Sequence, residues 1–147
     1  MSDEERRALI AKYREMIALR RDAGPKDDAR LRALASRFPG SLRELDTRTM
    51  ASLEERLASL EGGDEAAWMG LQLRFHGWLR VALRLRATSA EVFVASYSPS
   101  EPGDPTHAEL KAKIATLLAP RAGRVSLAAR DALEAGDVDL DHLLFGR

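Results

Sequence analysis

The residues of this chain that could do chemistry are few and widely spaced. His76, His107 and His142 are the three histidines, and there is no cysteine. Imidazole binds metals and moves protons near neutral pH, but a helical metal site wants two ligands about one turn apart. No two of these histidines are four residues apart, and no Glu-x-x-His spacing of the di-metal bundle type occurs. The alternating Asp137, Asp139 and Asp141 have the opening rhythm of a calcium loop. The residues that follow, His142 to Phe145, supply neither the glycine nor the distal glutamate such a loop requires. Without cysteine there are no disulfides, thiolate metal sites or thiol nucleophiles. No glycine-rich phosphate loop and no Gly-x-Ser-x-Gly elbow is present. We therefore expect no metal, no cofactor and no catalytic residue.

The richest stretch is WMGLQLRFHGWLRVALRLRA, residues 68–87, with both tryptophans, His76 and four arginines. At about 100° per residue, Trp68, Leu71, Phe75, Trp78, Leu79 and Ala82 form one broad apolar arc. His76 lies at its edge, the place of a structural or partly exposed histidine, while Arg80 and Arg84 lie nearly opposite. A helix carrying those arginines does not span a membrane, and rings turned away from them do not make a base-stacking platform. Gly70 and Gly77 each cost about 1 kcal/mol relative to alanine in a helix interior. With Leu73 and Val81 they form a second strip of small and apolar residues. Gly70, Leu73, Gly77 and Val81 are thus a candidate interface, either for another helix of the same chain or for a subunit contact.

The elements around this stretch all read as helical. Ser2 and Glu5 make a capping box before Leu9, Ile10, Tyr13, Met16 and Ile17, and Gly24-Pro25 ends that pattern. A second helix is expected at about 27–37, with a further turn at SLRELDT. A third full helix is expected at about 49–61, where Ser52 and Glu55 offer a capping pair. Asp64 caps the long helix at about 65–87. AEVFVASY has strand propensity, but no second strand pattern exists to pair with it, which favours helix or irregular structure. SPSEPGDP, residues 98–105, reads as a linker. Thr106 and Glu109 open a helix to Pro120, Ser126 opens another to Gly136, and one short turn closes the chain.

The expected fold is all-α: a single domain, a small bundle of four to six helices with a long central one. Residues 1–97 would form the bundle, joined by 98–105 to a helical C-terminal part at 106–147. The chain has 147 residues, 45% hydrophobic and 31% charged, with 23 basic residues balancing 23 acidic ones. That balance provides no bulk attraction to nucleic acid or anionic lipid. The N-terminus has neither the basic nor the apolar region of a signal peptide, and no window is apolar enough to cross a membrane. A cytoplasmic location is the expectation.

IATLLAPRAGRVSLAARDAL, residues 114–133, resembles a bacterial helix-turn-helix, with Ile114-Ala115 in the first helix and Val125-Ser126 opening the second. The resemblance covers about 20 residues and implies that the second helix enters the major groove. Arg121, Arg124 and Arg130 would then hold phosphates. The connection is longer than the usual turn, and Leu127, Ala128 and Ala129 offer no hydrogen bonds to bases. The leading expectation is a non-enzymatic protein–protein interaction or adaptor module, self-associating or joined to another protein. A DNA-binding regulator using 114–133 is the alternative.

Overall fold

The structure, a computed structural model, describes residues 1–22, 28–122 and 138–145. It is all-helical, and among the described residues eight helices are formed: α1 (Asp3–Asp22), α2 (Asp28–Arg37), α3 (Ser41–Thr47), α4 (Met50–Glu61), α5 (Glu65–Leu85), α6 (Ala90–Ser96), α7 (His107–Ala122) and α8 (Leu140–Phe145). The count exceeds the expected four to six because α3, α6 and α8 are only six or seven residues long. Helices of two turns carry too little periodicity to be told from turns.

The starts of these helices follow from local chemistry. Ser2 and Glu5 exchange side chain-to-backbone hydrogen bonds of 3.1 Å each, and Thr106 and Glu109 repeat the device at α7. Asp64 accepts from Ala67 N at 2.9 Å, and Ser89 accepts from Val92 N at 3.3 Å. One cap differs from expectation. Thr49, not Ser52, caps α4, accepting from Ser52 N at 3.1 Å. Ser52 is instead buried within the helix, its hydroxyl accepting from Arg56.

The chain divides into two compact units, residues 1–69 and 70–147, and the division falls inside α5. In the first unit α1 packs chiefly on α4. Its core is made by Tyr13, Met16, Ile17, Leu19, Leu34, Leu45, Leu53, Leu60 and Trp68. Trp68 meets Tyr13 edge-on, with ring centroids 5.9 Å apart.

The core of the second unit joins Phe75, Trp78, Val81, Ala82 and Leu85 of α5 to Phe93, Tyr97, Leu110, Ile114, Val138 and Leu140. Both tryptophans are buried, as the apolar arc of α5 requires. Residues 98–105 form a packed strap within this unit. Tyr97 donates its hydroxyl proton to Pro105 O at 2.7 Å. Asp104 accepts from the backbone N–H of Ser100 and Glu101. Arg80 of α5 holds Asp104 at 2.6 Å and Glu101 at 2.9 Å.

Candidate functional site

The four residues of the α5 strip do not stay together. Gly77 and Val81 are covered by the chain itself. A Cβ added at Gly77 would fall inside van der Waals contact with the Gly103 carbonyl and 2.9 Å from Asp104 Cα. Gly103, at φ +88°, in turn presses on the backbone of Leu73. Two glycines thus let the strap cross α5 backbone to backbone. Gly70 has nothing within 4 Å of such a Cβ, and the Leu73 side chain is 43% exposed. His76 is exposed, next to Phe75 at 5.9 Å between ring centroids.

The basic candidates are less informative. Arg121 lies in the last turn of α7, which runs two residues past Pro120. Arg124 and Arg130, with the expected helix at Ser126–Gly136 and the acidic Asp137, lie outside the described residues. No described helix is long and apolar enough to cross a membrane. No three His, Cys, Asp or Glu side chains among the described residues are grouped to hold a metal ion.

Two clusters remain as candidates. The first is polar and lies in the first unit. Glu44 of α3 accepts from Tyr13 Oη at 2.8 Å, from Arg48 Nε at 2.8 Å, and from Lys12 Nζ. Burial pushes the Glu44 carboxyl up, but Arg48, Lys12 and Tyr13 together outweigh it and hold the carboxyl below its ordinary value. Burial, reinforced by the Glu44 charge, pushes the Tyr13 hydroxyl well above its ordinary value. Acid–base work at neutral pH needs a group poised near neutrality, and both are driven away from it. Arg20 completes the cluster by donating to Leu45 O and Arg48 O, carbonyls at the end of α3. The cluster fastens α3 to α1.

The second is a groove in the second unit, between α6 and α7. Its walls are Ala90, Glu91, Val94 and Ala95 on one bank and His107, Lys111, Ile114, Ala115 and Leu118 on the other, around about 460 Å³. A neighbouring hollow of about 400 Å³ shares Ala90, Ile114 and Leu118 and adds Leu85, Arg86, Leu117 and Leu144. The two helices are tied at one end, where His107 Nε2 lies 2.8 Å from Val94 O. Beneath the groove, Ile114 and Leu110 are buried in the core, so its floor is fixed. Leu118 stays 38% exposed. The lining has no hydroxyl and only one carboxylate, so it offers grip rather than chemistry.

Sequence reasoning missed this groove. Ala95 and Ala115 are small enough to pass for either core or surface, and both are exposed. The available signal was Val94 and Leu118 as apolar residues towards the ends of their helices. No family model, no curated protein and no solved structure matches this chain, so the groove's geometry and chemistry carry the functional argument.

Proposed function

We propose that the protein is a non-enzymatic interaction module that receives an apolar helical segment in the α6–α7 groove. The single observation that carries this reading is the groove itself: an apolar trough with a fixed floor and charged residues confined to its banks. Amphipathic helices dock in such troughs by laying one apolar face along them. The alanines favour this, since small side chains let a helix backbone come close.

The test uses 1-anilinonaphthalene-8-sulfonate as an apolar probe, at low protein concentration and native pH. Wild-type protein is expected to enhance its fluorescence saturably. Ala115→Arg and Leu118→Asp, both at exposed positions, should abolish the enhancement while circular dichroism and the melting temperature stay within a few degrees of wild type. Saturable enhancement that survives both substitutions would place the apolar surface elsewhere and refute the groove.

A further inference from the structure

We infer that the occupant of the α6–α7 groove is a second copy of this chain, the two α6–α7 faces meeting about a two-fold axis. This inference rests on the docking reading above and names its partner. The groove carries one exposed acid and one exposed lysine, Glu91 on the α6 bank and Lys111 on the α7 bank. A two-fold axis in the contact plane, midway between them, sets Glu91 of one copy against Lys111 of the other. The same operation sets Lys111 against Glu91, so both pairs form in one contact. A groove made for a strongly acidic or basic partner would show banks of a single sign. The whole chain is neutral, with 23 charges of each sign, so two copies approach without net repulsion.

Shape agrees with charge. Leu118, 38% exposed, lines the groove together with the small side chains of Ala90, Ala95 and Ala115. In an isologous contact each copy supplies both the leucine and the small residues set against it. The face therefore needs no foreign sequence to become complementary.

Sedimentation equilibrium of the full chain tests this. Wild type is expected to be a reversible dimer. Glu91→Lys or Lys111→Glu alone should raise the dissociation constant by about tenfold or more, because each change creates two like-charged contacts. The double variant E91K/K111E should restore dimerisation, and so should an equimolar mixture of the two single variants. Restoration in the mixture requires the partner to be the same chain. A wild type that stays monomeric at every accessible concentration overturns the inference, as does a dimer indifferent to both reversals. If the monomer still binds anilinonaphthalene sulfonate in a Leu118-dependent way, the docking reading stands and its occupant is another protein. If probe binding also fails, both fall together.

Discussion

The two units of this chain solve the same packing problem by different means. In the first, short α3 is located by a polar network: Glu44 collects Lys12, Tyr13 and Arg48, while Arg20 closes the helix end. Arg56 and Arg48 are themselves buried there. In the second, α5 and the strap are located chiefly by shape, through the contact of Gly77 with Gly103 backbone, with the Arg80–Asp104 ion pair at the same crossing. Directional polar bonds fix a seven-residue helix that has little apolar surface of its own. Steric fit suffices where aromatic residues already provide a large core. The difference also bears on function, because the shape-fixed unit is the one that carries an apolar groove.

The strongest way to break this comparison is to remove a ring from the apolar unit. Trp78 is buried and packs under the Lys113 ammonium, 4.3 Å from its ring centroid. Trp78→Ala should cost about 3–5 kcal/mol. The remaining Trp68 then reports on the first unit alone, since it packs on Tyr13. Urea unfolding followed by Trp68 fluorescence and by circular dichroism should show a helical loss that precedes the fluorescence change. Coincident transitions at the wild-type midpoint would mean that the Trp78 ring contributes nothing to the second core.

A smaller effect probes the polar unit. Glu44→Gln should cost about 1.5–3 kcal/mol at neutral pH, the range for hydrogen bonds to a charged group. Because the folded carboxyl titrates below its ordinary value of 4.5, its contribution is fully present above that pH and is lost as pH falls through the depressed value. Wild type should therefore lose stability relative to Glu44→Gln on acidification, and the gap between them should narrow. Denaturant midpoints measured from pH 7 to pH 3 check this. A gap that is constant with pH would show that the charge of Glu44 does not matter to the fold.

How much of this was legible in the sequence depends on how local each signal is. Caps are legible because they act over three residues: Ser2 with Glu5, Asp64, and Thr106 with Glu109 could all be placed from the sequence. The burial of Trp68 and Trp78 was legible from a helical arc more than ten residues long. The start of α4 was ambiguous, because Thr49 and Ser52 are both good caps and only the turn after Thr47 decides between them. The short helices were legible only as single turns, at SLRELDT and at the C-terminal end, or as helix left open against irregular structure, at AEVFVASY; the groove was not legible. Val94 of α6 meets His107 of α7 across a strap of irregular backbone, and no periodicity reports a contact of that kind. The fully buried Lys113 was equally hidden, since its bond to Val138 O joins residues 25 apart.

The glycines of α5 give the finest test, because sequence treats Gly70 and Gly77 alike and the structure separates them. Both sit in the interior of a 21-residue helix, where alanine is favoured over glycine by about 1 kcal/mol through backbone entropy alone. At Gly70 a new Cβ meets nothing within 4 Å, so Gly70→Ala should collect that gain and stabilise by about 1 kcal/mol. At Gly77 the new Cβ meets the Gly103 carbonyl and lies 2.9 Å from Asp104 Cα, and both are backbone. The strap cannot yield there by turning a side chain; it must move as a whole, straining the Arg80 ion pairs and the Tyr97 hydrogen bond. Overpacking of this sort costs about 1–3 kcal/mol, which exceeds the propensity gain or cancels it. Gly77→Ala should therefore melt below Gly70→Ala by several degrees, at unchanged oligomeric state. If the two variants instead melt together, both above wild type, the strap does not press on α5 in solution. If Gly70→Ala changes the sedimentation behaviour, the exposed end of the strip is a contact surface, and the self-association assigned to α6 and α7 must be shared with α5.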